Sequence, residues 1–376
     1  MLHSTAAQAE RAILAGVDTG EDRALFEIEM DELDALARAA GAVVVARAVQ
    51  RRPSVDPATL LGQGKVEEIA QIARAKDANL VVTLNSLRPR QRAALEKMLG
   101  DVAVTDRSVL ILDIFASHAR TSEGKLQVEL AQLRHSAANL IGSRDALSRL
   151  GGGIGTRGPG ETKLEVDRRR IRLRISHLEN QLEEVRKRRS EQRRSRESTP
   201  VVALVGYTNA GKSSLLNALS GASVLVADQP FATLDPTLRK AYLEPDQAVI
   251  LADTVGFISD LPKELVAAFR ATLEEVTNAT LLLHVIDASN PYWKRQRESV
   301  NVVLRELGAD AKPVIYVWNK IDTQPYVGPA ADLGDAGVLA SAKTGSGIAE
   351  LKSVIAERLR SLASPLPASP SPSSTT

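Results

Sequence analysis

The stretch that decides the fold is Val201-Val202-Ala203-Leu204-Val205 followed by Gly206-Tyr207-Thr208-Asn209-Ala210-Gly211-Lys212-Ser213-Ser214. The first five residues are an apolar run of strand length, and Ser213-Ser214-Leu215-Leu216-Asn217-Ala218-Leu219 has the pattern of a helix. Between them, G-x-x-x-x-G-K-S places glycines where backbone N–H groups close around phosphate oxygens. It also supplies a lysine for the β and γ phosphates and a serine hydroxyl for Mg²⁺. The following helix directs its N-terminal dipole at the anion. Strand, loop and helix in this order make a P-loop, which an isolated Gly-rich turn does not.

Four further segments follow at plausible spacing. Phe231-Ala232-Thr233-Leu234-Asp235-Pro236-Thr237 offers hydroxyls in a segment of switch character, ordered when metal and γ-phosphate are present. The apolar run Ala248 to Ala252 ends in Asp253-Thr254-Val255-Gly256, a carboxylate for a Mg²⁺-bound water and a glycine N–H for the γ-phosphate. Val314 to Trp318 leads into Asn319-Lys320-Ile321-Asp322, whose aspartate can accept two hydrogen bonds from a guanine edge that adenine cannot supply. Ser341-Ala342-Lys343, after another short apolar run, supports the base from its other side. Each element alone is a common strand end or turn. Together, most at the carboxyl end of a candidate strand where α/β sheets bind ligands, they identify a GTP-binding domain. Phe257 stands where Ras-like proteins carry the glutamine that orients the attacking water. Water positioning therefore has to come from elsewhere, and slow intrinsic turnover accelerated by a docked partner is expected.

The 376 residues suffice for two or three domains, and a net charge of +2 identifies no polyanionic partner by itself. With no cysteine, disulfides, thiolate catalysis and Cys-type zinc sites are excluded, and a reducing, cytoplasmic setting is expected. Met1 to Gly16 lacks a signal-peptide pattern, and Thr280 to Ile286 and Val314 to Trp318 are far shorter than the ~20 residues of a membrane span. A soluble monomer is the expectation.

From Arg11 to about Ala116, apolar runs alternate with amphipathic stretches, as in a small α/β domain. Strands are expected at Ala12 to Val17, Ala42 to Ala46, Asn79 to Leu84 and Val102 to Val104. Helices are expected at Met30 to Ala40, Lys65 to Ala75 and Arg90 to Leu99, with Pro89 in a first turn. Leu61-Gly62-Gln63-Gly64-Lys65 reads as a plain turn opening a helix, since G-x-G-K lacks the full phosphate pattern. After Gly124, Leu126, Leu130, Leu133, Ala137 and Leu140 form a helical seam, and Leu164, Ile171, Ile175, Leu178, Leu182 and Val185 form a second. Two seams so close in sequence favour an antiparallel hairpin over a dimeric coiled coil. The connecting loop, Gly151 to Lys163, is so rich in glycine that mobility is expected. Arg149, Arg157, Lys163, Arg168, Arg169, Arg170, Arg172 and Arg174 surround it, with more arginine and lysine over 186–189 and 193–196. That composition suits phosphate-rich RNA. Interleaved Glu161, Glu165, Asp167, Glu179, Glu183 and Glu184 keep a solvated helix face as the alternative. Ser198-Thr199-Pro200 marks a boundary, and Ser361 to Thr376 reads as a disordered Ser/Pro tail.

On these motifs, and on Leu110 to Phe115, Arg120 to Leu133, Gly151 to Leu164 and Asp253 to Ile258, the chain resembles the HflX family of translation-associated GTPases. The resemblance implies a P-loop GTPase domain (199–360) preceded by a small N-terminal α/β domain (1–120) and an antiparallel helical hairpin (121–198). It further implies binding to the large ribosomal subunit and GTP-dependent splitting of stalled ribosomes. The competing reading is a nucleotide-gated ribosome-binding module whose hydrolysis only ends binding. Carried over by position, Gly206 to Ser214 hold phosphates, Ser213 and Thr233 ligate Mg²⁺, Phe231, Ala232, Thr233, Leu234 and Asp235 bind the nucleotide as a switch segment, and Asp253 to Gly256 sense the γ-phosphate. Asn319 to Asp322 and Ser341 to Lys343 hold the base. Lys212, Asn209, Thr233 and Gly256 are expected at the transferred phosphate, and Asn209 resembles asparagines that hold a K⁺ ion beside the phosphates in some GTPases.

Overall fold

The computed structural model describes residues 10–20, 22–147, 163–194, 199–221, 230–231, 237–245, 247–259, 273–323 and 337–363. The chain divides into two compact units, one of residues 1–191, 228–235 and 260–271, the other of 192–227, 236–259 and 272–376.

The first unit begins with a parallel sheet built from β1 (Arg11–Asp18), β2 (Val43–Arg51), β3 (Leu80–Thr83) and β4 (Ala103–Asp106), ordered β2-β1-β3-β4. Residues 12–18 of β1 are all buried, as a central parallel strand covered on both faces requires. Helices α1 (Arg23–Ala39), α2 (Gln63–Lys76) and α3 (Pro89–Leu99) connect the strands. Ile13, Val17, Leu61, Val66, Ile69, Val81 and Leu95 form the core on one face of the sheet. Helix α1 starts seven residues before the expected Met30, because the Asp22 carboxylate accepts the Leu25 N–H and caps it there. Strand β2 runs to Arg51, well past the expected Ala46. The Gly62 turn is a plain helix start, with its N–H donated to Gln50 Oε1 at 2.8 Å and Lys65 paired with Glu68.

Helix α4 (Arg107–His118) was absent from the expected elements. Leu110, Ile111, Leu112, Ile114 and Phe115 are all buried, so the segment is apolar around much of its circumference and shows no one-sided stripe. Asp106 caps it, accepting the Ser108 and Val109 N–H groups.

Helices α5 (Ser122–Leu147) and α6 (Lys163–Arg194) bring the two seams together through Leu130, Leu178 and Leu182, flanked by Leu126, Leu133 and Ile175. Arg134 pairs with Glu179 and Arg174 with Glu129, both at 2.7 Å. Glu129 and Arg174 each precede a seam residue, and Arg134 and Glu179 each follow one. Like flanks meet like flanks in antiparallel helices, whereas parallel ones join unlike flanks. Arg169, Arg170 and Arg172 lie exposed on α6. Most of the glycine loop, residues 148–162, lies outside the described residues.

The second unit contains a six-stranded sheet. Its strands are β5 (Val201–Gly206), β6 (Thr237–Glu244), β7 (Gln247–Asp253), β8 (Leu281–Asp287), β9 (Val314–Asn319) and β10 (Gly337–Leu339), ordered β10-β9-β8-β5-β7-β6. Edge strand β6 is antiparallel to β7, and the other pairs are parallel. Helices α7 (Lys212–Ser220), α8 (Glu274–Asn278), α9 (Trp293–Glu306) and α10 (Ile348–Ala363) complete the unit. Leu215, Leu216 and Leu219 from α7 and Leu351, Ile355 and Leu359 from α10 join Val202, Leu204, Leu283 and Val317 in one core. Trp293 meets Trp318 edge to face at 4.7 Å beneath the end of β9. Ser361 to Ala363 continue α10, against the expected tail, and 364–376 lie outside the described residues. Among the described residues no helix is long and apolar enough to cross a membrane.

Candidate functional site

Strands β5, β7, β8 and β9 end side by side, and the predicted motifs follow β5, β7 and β9 directly. The P-loop turns out of β5 into α7. Gly211 has φ +90°, and a Cβ there would stand 2.2 Å from Asn319 Nδ2, so both the backbone and the neighbouring amide demand glycine. Lys212 is 6% exposed, and its Nζ donates to the Gly206 carbonyl at 3.1 Å and the Tyr207 carbonyl at 2.9 Å. An ammonium has three donors, so one remains for a phosphate oxygen. Burial pushes the Lys212 pKa down to about 8, opposed by the Asp253 carboxylate.

Ser213 Oγ donates to Asp253 Oδ2 at 2.6 Å, which joins the P-loop hydroxyl to the carboxylate at the end of β7. Thr254 Oγ1 donates to the Leu204 carbonyl at 2.6 Å and anchors the next residue. The segment then runs back along the P-loop. The Thr208 N–H donates to the Phe257 carbonyl at 2.6 Å, and the Phe257 N–H to the Gly206 carbonyl at 3.1 Å. A Cβ on Gly256 would meet Thr208 Cα at 2.8 Å and Lys212 Nζ at 3.1 Å, so glycine permits this close approach. Phe257 is 2% exposed, and its ring belongs to the interior.

Asn319 ties three motifs together. Its Nδ2 donates to the Ala210 carbonyl at 2.9 Å, and its Oδ1 accepts the Ala342 N–H at 3.1 Å. Ser341 Oγ donates to Asp322 Oδ1 at 2.6 Å, and this bond is the leading cause holding the Asp322 carboxyl below the usual carboxylate range. Ile321 donates its N–H to the Ala340 carbonyl, and Lys320 has φ +66° with its ammonium 2.8 Å from Asp287. Asp287 was missed in the sequence. It stands at the carboxyl end of β8, the same signal that picked out Asp253 and Asn319.

The candidates in 206–214, 253–256, 319–322 and 341–343 all belong to the second unit, and the contacts above link segments from all four groups. Phe231 clusters instead with the first unit, where its ring packs edge to face on Phe115 at 4.6 Å. It is 2% exposed, so its ring is an apolar anchor. Ala232, Thr233, Leu234 and Asp235 lie outside the described residues.

Residues 27–116 match the family described as GTP-binding GTPase N-terminal, 118–196 the GTP-binding GTPase middle region, and 201–320 the 50S ribosome-binding GTPase family. GTPase HflX of Lacrimispora saccharolytica is 49% identical, covering 93% of this chain and 83% of that one. GTPase HflX of Caldanaerobacter subterraneus is 50% identical over 89% and 78%, and that of Escherichia coli 46% over 93% and 83%. The crystal structure of the SsGBP and GDP complex aligns with a TM-score of 0.52 at 23% identity, over 94% of this chain and 100% of that one, a likeness of fold. The chain belongs to the HflX family of GTPases, enzymes that hydrolyse GTP to GDP and phosphate.

Proposed function

We propose that this GTPase binds the large ribosomal subunit in its GTP state and uses the nucleotide switch to split stalled ribosomes. In this reading Gly206 to Ser214 cradle the phosphates and Lys212 neutralises the β and γ groups. The Gly256 N–H contacts the γ-phosphate, and Asp322 reads the guanine edge with Asn319, Lys320 and residues 341–343 in support. The observation that carries the nucleotide reading is the Asn319 bridge, which fixes the phosphate loop and the base loop in one frame.

Mg²⁺ fits the residues present. The Ser213 hydroxyl and Asp253 carboxylate lie 2.6 Å apart and offer only hard oxygen donors. Mg²⁺ in nucleotide sites is held by one or two protein oxygens together with the phosphates, which this pair can supply. Ser213, with Thr233 from the segment outside the described residues, would hold it, and Mg²⁺ when bound would offset charge on the β and γ oxygens. K⁺ beside Asn209 is the second cation of the proposal. Equal turnover in sodium and potassium buffers would refute it.

The ribosomal partner is supported by the exposed arginines of α6 and by the matched family of residues 201–320. Single-turnover hydrolysis with and without large subunits, together with cosedimentation in a non-hydrolysable GTP analogue, tests it. Stimulated hydrolysis coupled to subunit dissociation is expected. Binding without dissociation would leave a nucleotide-gated binding module, and splitting that survives shortening of Gly151 to Gly160 would remove the glycine loop from the mechanism.

A further inference from the structure

Tyr207 is the first variable residue of the P-loop, and its carbonyl, not its ring, faces the Lys212 ammonium. The side chain is buried and its hydroxyl reaches Ser259, three residues beyond Gly256. It accepts the Ser259 N–H at 2.9 Å and lies 3.0 Å from Ser259 Oγ. Ser259 Oγ in turn lies 3.1 Å from Ser299 Oγ on α9, and Ser299 Oγ donates to the Arg295 carbonyl at 3.1 Å.

A carbonyl only accepts, and each hydroxyl has a single proton to give. With Ser299 donating to the Arg295 carbonyl, one consistent direction follows. Ser299 gives its proton to Arg295, so Ser259 donates to Ser299 and Tyr207 donates to Ser259. The chain is polarised one way, from the P-loop to the body of α9. Removing any hydroxyl interrupts it and leaves a buried neighbour short of a partner.

This chain clamps a segment that is already paired with the P-loop at Phe257. Residues 256–259 are thus held at two points, by backbone bonds at 257 and by the tyrosine hydroxyl at 259. Gly256 lies just ahead of both, against Thr208 and Lys212. Phe257 cannot orient a water, so at this position it is the backbone, not the side chain, that the protein can adjust against the γ-phosphate.

We infer that Tyr207 is a positioning residue for GTP hydrolysis, its hydroxyl acting through Ser259 and Ser299 to set where the Gly256–Phe257 backbone stands against the P-loop. The inference deepens the reading of Gly256 as the γ-phosphate contact and rests on it. The hydroxyl acts on the segment that carries the γ-phosphate contact, so its loss falls on hydrolysis more than on GDP binding.

The test uses the full chain as wild type, Tyr207→Phe, Ser299→Ala and the double variant, with kcat and KM for GTP, GDP affinity by calorimetry, and Tm. Tyr207→Phe lowers kcat roughly five- to tenfold, the worth of one buried hydrogen bond, with a smaller loss of GDP affinity. Ser299→Ala, remote from the nucleotide, lowers kcat in the same direction, and the double variant is no worse than Tyr207→Phe because both cut one chain. Unchanged kcat in both single variants, effects that multiply, or a GDP loss as large as the loss in kcat would overturn the inference. Should Tyr207→Phe fail to fold, Ser299→Ala decides alone. Gly256→Ala, assayed in parallel, separates the two levels. If it leaves GTP binding and turnover intact, the γ-phosphate reading has failed. If it abolishes them while the tyrosine and serine variants turn over normally, only the clamp has failed.

Discussion

Gly211→Ala tests the joint between the phosphate loop and the base loop. Two costs follow from the geometry. At φ +90° a side chain incurs left-handed backbone strain of about 1–2 kcal/mol. The new Cβ would stand 2.2 Å from Asn319 Nδ2, far inside contact, so the amide must move. Moving it breaks the bonds to the Ala210 carbonyl and the Ala342 N–H, both near 3 Å, and strands a buried carbonyl at about 1–3 kcal/mol. The sum, about 2–5 kcal/mol, corresponds to roughly a 30- to 5,000-fold loss of GDP affinity where it falls on binding. Calorimetric titration gives that share, and Tm gives the share that falls on folding. The variant combined with Asn319→Ala removes the collision but keeps the strain, so the double loss is smaller than the sum by about 1–3 kcal/mol. A Gly211→Ala protein that binds GDP within threefold of wild type at unchanged Tm, or strictly additive losses, would refute the contact.

Raising pH acts on Lys212, whose folded pKa is lowered by burial to about 8. The phosphate contact needs the charged form, so GTP affinity falls about fourfold between pH 7 and pH 8.5, with proton uptake on binding measurable in buffers of different ionisation enthalpy. Stability moves the other way. The unfolded chain keeps that proton up to about 10.4, so between about 8 and 10.4 the unfolded state binds more protons and the nucleotide-free protein gains stability with pH, as denaturant melts would show. Phe257→Gln, which installs the residue Ras-like proteins use, buries an amide at a 2%-exposed position; it costs about 1–3 kcal/mol by thermal unfolding and leaves single-turnover hydrolysis unimproved, whereas a tenfold gain would show that the side chain reaches the water. Asp322→Asn weakens GTP binding by more than ~1 kcal/mol without admitting ATP; unchanged GTP affinity would remove Asp322 from the base site.

The nucleotide-binding unit was legible because each motif sits at the end of an apolar run, and parallel strands buried on both faces write themselves as such runs. The hairpin was legible for the complementary reason, a one-sided stripe whose partner lies close in sequence. Helix α4 escaped because an element buried on several sides has no stripe to detect. Asp287 escaped because a single carboxylate after a strand is common, and its pairing with Lys320 depends on the β8–β9 register. The packing of Phe231 on Phe115 was not legible either, because the two rings lie far apart in sequence. The Tyr207–Ser259–Ser299 contacts span 40 and 52 residues, a separation at which no local pattern exists to be read.

The paired indoles of the second unit have a practical consequence. The chain contains two tryptophans, and they stand together, with Trp318 immediately before Asn319. Long-wavelength ultraviolet emission from the whole protein therefore originates at a single locus beside the Asn319–Asp322 loop, and the first unit is dark. Under the proposed function the paired indoles are an optical gauge for nucleotide occupancy, and melting of the first unit must be followed by a label placed there.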